Sequence, residues 1–172
     1  AVETYFLQDG HATVDAVLSL TGFSLVGGPA YNDSRSAEEI LARLDVPYLS
    51  AMPVEFQTLE QWGGSERGLP VESIMMVSIP ELDGAGGGMV YGGRSDATGL
   101  ACSGCARHCQ FDSAEGSHDM HTCTERADML AARVARLVAL RRSERAERKV
   151  AMVLFNFPPN AGNTGTAAFL AV

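Results

Sequence analysis

The sequence predicts an α/β domain built on a parallel sheet, and three features carry that reading. Apolar, β-rich runs flank a helix-period segment in "VDAVLSLTGF", "SAEEILARLD" and "VPYLSAM". The linkers between them are short and carry Gly and Pro. Strand, helix and strand in that order form a βαβ unit, whose two strands must run parallel.

Taken in order, residues 14–23 read as the first strand, and "LVGGPAYNDS" turns the chain into a helix that Ser34 or Ser36 can cap. In that helix Ile40, Leu41 and Leu44 share one face, with acids in the first turn where the helix dipole favours them. "VPYLSAM" is the next strand, and "EFQTLEQW" a short helix or turn. "VESIMMVSIPEL" reads as a long buried strand, ended by Pro80 and the Gly-rich "DGAGGGMVYGGR". Seven of the 18 glycines fall between Gly84 and Gly99, which suits a flexible loop or a close approach of backbone to a ligand.

The most regular helix is expected over about 124–148. Leu130, Val134, Leu137 and Val138 form its apolar stripe, and arginines crowd its C-terminal half. "KVAMVLFNF" is then a buried strand, and "PPNAGNTGTAAFLAV" a loop entering a helix. The sum is a Rossmann- or flavodoxin-like domain over 1–148 with an inserted Gly/Cys-rich loop at 100–123, and over 149–172 the first strand and truncated helix of a following α/β unit. A strand and half a helix cannot bury their own faces, so the chain is expected to be a piece of a larger multidomain protein.

The 172 residues are 46% apolar and 20% charged, and no apolar run approaches the roughly 20 residues of a membrane span. The start, "AVETYFLQDGHATVD", has no basic region followed by an apolar one, which predicts a cytoplasmic protein. A net charge of −8 argues against nucleic acid as a partner. Eight of the thirteen basic residues nevertheless lie between Arg126 and Lys149, as a solvated helix face or a docking surface.

All four cysteines stand in one loop as Cys102, Cys105, Cys109 and Cys123, a C-x2-C-x3-C-x13-C spacing, together with His108, His118 and His121. Close thiolates completed by a fourth from beyond a loop form a tetrahedral sulfur set for an iron–sulfur cluster, expected as 4Fe-4S, or for zinc. Free thiols without metal are the third reading, and a reducing compartment disfavours disulfides.

"NFPPNAGNTGT" places glycines before a helix that Thr164 or Thr166 can cap, so its amides suit an anion or form a plain tight turn. It is no Walker motif, because Thr166 stands where the lysine should follow Gly165. Glu55, Glu60, Glu81 and Asp83 fall at element ends, where carboxylates accept protons or guide a cation.

The blocks "VDAVLSLTGFSLVGGPA", "LDVPYLSAMPVEFQTLEQW", "SIPELDGAGGGMVYGGR" and "KVAMVLFNFPPNAGNTGTAAFL", in that order, resemble the magnesium chelatase large (H) subunit family, a relative of the large cobaltochelatase subunit. The resemblance covers nearly the whole chain, and the cysteine loop and "GGGMVYGGR" resemble its bacteriochlorophyll branch. It implies a porphyrin-binding subunit that inserts Mg²⁺, its substrate, into protoporphyrin IX. It also implies two partner subunits, one an AAA+ ATPase that holds the ATP. Glu81 and Asp83 would then be the catalytic carboxylates, Asn156, Asn160, Asn163 and Thr164 would line the substrate, and the four cysteines would hold the iron–sulfur cluster.

Overall fold

The computed structural model describes residues 1–28, 31–95, 106–108, 120–151 and 153. Two compact units divide the chain, Ala1–Arg141 and Arg142–Val172. In the second, the described residues carry one 3-10 turn, Arg145–Glu147, and Arg148 donates to the Ser143 carbonyl at 3.0 Å. Of the expected strand from residue 149, the described Lys149, Val150, Ala151 and Val153 carry no strand, and its other residues, the loop carrying Asn156, Asn160, Asn163 and Thr164, and the thiols of Cys102, Cys105 and Cys109 lie outside the described residues.

The first unit begins with α1 (Val2–Tyr5) and a hairpin of β1 (Leu7–Gln8) and β2 (His11–Ala12). Asp9 and Gly10 close it with φ of 51° and 79°, the left-handed pair that an Asp-Gly turn favours. β3 (Val17–Ser19) follows, then a two-residue ladder of β4 (Gly27–Gly28) and β5 (Tyr31–Asn32). The predicted βαβ unit is formed: α2 (Ser34–Leu44) connects β3 to β6 (Tyr48–Thr58), and the two strands pair in parallel.

The cap of α2 is Asp33, and neither Ser34 nor Ser36 takes that place. Its carboxylate accepts the Ser36 N–H at 3.1 Å and the Ser36 hydroxyl at 2.7 Å, so the helix starts earlier and the acids fall outside its first turn. Those bonds, the Ser36 N–H first, hold the Asp33 carboxyl below its ordinary pKa. A lowered carboxylate pKa stabilises the fold above the unfolded value and ceases to do so as pH falls through the native one. Asp33→Ala is therefore expected to lower the melting temperature at neutral pH. The gap between variant and parent should close in strong acid, as paired thermal melts will show.

The strand from residue 48 runs on through Thr58 and is buried from Tyr48 to Val54. The short helix expected over 55–62 begins only at Leu59, as α3 (Leu59–Gly64). A capping box sets that start, with the Gln61 N–H donating to Thr58 Oγ1 and the Thr58 N–H to Gln61 Oε1.

Two expectations are overturned next. The predicted buried strand over 71–82 is helical: α4 (Pro70–Glu72), a π-helical turn (Ser73–Ser78) and α5 (Ile79–Leu82). Leu69, Glu72, Met76, Pro80 and Asp83 are its buried positions, a 3–4 residue spacing, while Val71, Ile74 and Leu82 are exposed. An apolar run of this length is long for a strand, and the parallel neighbours on either side require a crossover. The wide turn precedes Pro80, which has no N–H with which to close an α-turn on Met76.

The predicted glycine loop is instead β7 (Gly86–Arg94), an inner strand of the sheet β3-β6-β7-β8, parallel to β6 and antiparallel to β8 (Met120–Thr122). Two of its glycines, Gly92 and Gly93, admit neighbouring backbone. A Cβ on Gly92 would stand 2.2 Å from the His121 carbonyl oxygen, and one on Gly93 2.6 Å from that of Val54.

Helix α6 (Thr124–Arg142) closes the unit and ends six residues before the expected limit of 148. One face of the sheet packs Met52, Val54 and Val90 against Leu59, Leu69 and Met76, and a second cluster joins Ala51 and Met89 to Leu130 of α6. Val134, Leu137 and Val138 are only half-buried. Arginines supply further attachment: Arg126 donates to the Val90 carbonyl at 3.0 Å, Arg133 to that of Gly87 at 3.2 Å, and Arg141 to that of Asp45. Part of the basic segment thus serves internal hydrogen bonding. No helix among the described residues is long and apolar enough to cross a membrane.

Candidate functional site at the carboxyl edge of the sheet

Ligands of open parallel sheets gather at the carboxyl ends of the strands. Here the β6–β7 ladder breaks at that edge: Val54 pairs with Gly93, and the next pair is Thr58 with Arg94, so Glu55, Phe56 and Gln57 leave the register. The displaced N–H groups of Phe56 and Gln57 both donate to Glu72 Oε1 at 3.0 Å. Glu72 is 4% exposed, and among the described residues its Oε2 has no hydrogen-bond partner. A buried acceptor left bare costs about 1–3 kcal/mol.

The bulge opens a cleft of about 310 Å³ lined by Glu55, Gln57, Gln61, Arg94 and Ser95. Glu60 at its side accepts a hydrogen bond from the Ser95 hydroxyl. Burial chiefly, and the Glu55 charge after it, push the Tyr91 hydroxyl above its ordinary pKa. The edge therefore joins half-buried carboxylates and an amide oxygen, the ligand types of hard cations and of proton acceptors.

The sequence-derived acids separate. Glu81 is exposed at the end of α5, whereas Asp83 is fully buried and accepts the Leu25 N–H at 2.7 Å and the Asn32 amide at 3.1 Å. Asn32 also donates to Ser24 Oγ at 2.9 Å, so Asp83 ties the 24–32 loop to the end of α5. Burial first, with a further contribution from the Asp83 charge, raises the Tyr48 pKa, and Ser19 offsets part of the rise.

Cys123 is a half-buried free thiol just before α6, its N–H bound to the Tyr91 carbonyl and its own carbonyl accepting from Ala127, both at 2.9 Å. No group of three His, Cys, Asp or Glu that could hold a metal occurs among the described residues. Glu72 was not among the sequence-derived candidates. Its signal was an acid at a buried helical position inside an apolar run, legible only once that run is taken as helix.

The CobN/Magnesium Chelatase family model matches residues 1–172. The magnesium-chelatase H subunit of Rhodobacter capsulatus is 55% identical over 163 residues, which are 94% of this chain and 14% of that protein. The corresponding H subunit of Cereibacter sphaeroides is 53% identical across 100% of this chain and 14% of its own length. The chloroplastic magnesium-chelatase ChlH protein of Oryza sativa subsp. indica is 42% identical over 95% of this chain and 10% of its length. No solved structure matches. This chain, similar over 94% or more of its length to a small part of each of these longer proteins, belongs to the CobN/magnesium chelatase family.

Proposed function

We propose that the chain is a segment of the porphyrin-binding H subunit of a cytoplasmic magnesium chelatase. The full-length protein inserts Mg²⁺ into protoporphyrin IX on the bacteriochlorophyll route, while ATP is hydrolysed by an AAA+ partner and a second accessory subunit assists. Identity of 55% over 94% of the chain and of 53% over 100% of it to two magnesium-chelatase H subunits carries this reading. A parallel β3-β6-β7 core with helices on both faces supports a Rossmann- or flavodoxin-like domain. In this reading residues 149–172 open the next α/β unit.

Mg²⁺ gives up its waters reluctantly, and two pyrrole protons must leave as it enters the macrocycle. The carboxylates of Glu55 and Glu60 at the edge cleft suit both tasks, and the Ser95 hydroxyl holds Glu60 in place. Asp83 positions the neighbouring loop, and Glu81 remains open to the rest of the protein.

Full-length protein is expected to quench protoporphyrin IX fluorescence by itself and to insert Mg²⁺ only with its partners and ATP. Absence of both would refute the reading. Glu60→Gln keeps the acceptor for Ser95 and removes the charge, so it is expected to slow insertion on the order of a hundredfold with quenching unchanged.

The C-x2-C-x3-C-x13-C spacing supports an iron–sulfur cluster on Cys102, Cys105, Cys109 and Cys123, with zinc as the other occupant, and Cys123 is a free thiol. Protein purified without oxygen should yield iron with acid-labile sulfide, and Cys105→Ser should lower both. One zinc without sulfide would make the loop a structural staple.

A further inference from the structure

Behind the β6 bulge lies a second pocket, of about 230 Å³, that the chelatase reading does not use. Met52, Leu69 and Val90 form apolar walls, Glu72 supplies a buried carboxylate, and Trp62 and Arg126 complete the lining. Glu72 Oε1 is committed to two backbone N–H groups, and Oε2 has no partner among the described residues. Arg126 lies over the Trp62 ring at 5.5 Å and donates through Nε to the Val90 carbonyl. No ion pair between Arg126 and Glu72 occurs among the described residues.

Oε2 needs a hydrogen-bond donor, and a buried carboxylate favours a charged one. A simple cation would meet repulsion from Arg126, and a simple anion repulsion from Glu72. Mg²⁺ retains several waters and takes oxygen ligands, whereas the residues lining this pocket are mostly apolar and include one carboxylate, Glu72. The volume lies below the usual range for drug-sized ligands.

We propose that this pocket binds a small aminocarboxylate, its ammonium group on Glu72 Oε2, its carboxylate on the guanidinium of Arg126 and its short aliphatic body between Trp62 and the apolar walls. The site is separate from the edge cleft, so its failure would leave the chelatase reading untouched.

Full-length protein is titrated by calorimetry with glycine, β-alanine, 4-aminobutyrate and 5-aminopentanoate, and with butylamine and butyrate as one-ended controls. Trp62, the single tryptophan of this chain, reports occupancy as the emission lost in Trp62→Phe. At least one aminocarboxylate should bind saturably, with both controls weaker by about tenfold or more, the loss of one charge-assisted hydrogen bond. Glu72→Gln, which keeps an acceptor for Phe56 and Gln57, and Arg126→Gln should each weaken it to the same degree. If Glu72→Gln does not fold, Arg126→Gln decides alone. Absence of saturable binding across the series, equal binding of butylamine, or unchanged affinity in the variants would overturn the proposal and leave a pocket for water or for a one-ended ligand.

Discussion

Asp83→Ala is expected to lower the free energy of unfolding by about 3–5 kcal/mol, the cost of removing one partner from a buried charged hydrogen-bond set. Asp83 is completely buried, and its two oxygens receive the Leu25 N–H and the Asn32 side-chain amide. Truncation removes the acceptor of the Leu25 N–H, leaves the Asn32 amide only Ser24 Oγ, and opens a cavity where the carboxylate stood. The damage should spread along the chain, because Asn32 adjoins Asp33, the cap of α2, and Asp33 itself donates its N–H to the Val26 carbonyl at 3.0 Å. Asp83→Asn keeps the shape but turns one acceptor into a donor, and about 1–3 kcal/mol is expected. Urea denaturation gives the magnitudes, and amide exchange at Leu25 localises them. A loss below about 1 kcal/mol for the alanine variant, with Leu25 still protected, would mean that the loop is held by something other than Asp83.

Gly93→Ala should cost about 3 kcal/mol or more, at or beyond the upper end for overpacking, because the obstacle is backbone rather than a flexible side chain. The new Cβ would lie 2.6 Å from the Val54 carbonyl oxygen, 2.7 Å from the Val54 Cβ and 2.8 Å from its nitrogen. Val54 is fully buried in the strand beside it, so relief requires parting β6 from β7 just where the bulge begins. Gly64→Ala is the internal comparison. Nothing lies within 4 Å of its Cβ, and as the last residue of α3 it should gain about 0.5–1 kcal/mol. Opposite signs for the two substitutions in thermal and urea melts would establish that the strand glycines are there for close approach. Equal small effects would show that β6 and β7 can separate cheaply.

The first βαβ unit was legible because its signals are local. The stripe of Ile40, Leu41 and Leu44, the glycines before α2 and the buried run from Tyr48 each fall within a few residues of the feature they specify. The Asp-Gly turn at Asp9–Gly10 and the capping box of Thr58 and Gln61 were equally local. They shift α3 later and add a hairpin to the reading.

Membership of the family, the parallel pairing of β3 with β6 and the long helix after Cys123 follow from the chain alone, because ordered blocks of wording and short-range periodicity are local properties. Whether 70–82 is helix or strand depends on packing, since an apolar run satisfies either period until its burial spacing is known. Packing alone also sets the glycines of β7 against Val54 and His121, commits Asp83 to a loop 51 and 58 residues away, and makes Glu72 stand in for a missing ladder partner. Each depends on groups far apart in sequence whose only common cause is the seating of the sheet against its helices, and the desolvation this imposes is what turns a carboxylate into a strut or a binding group.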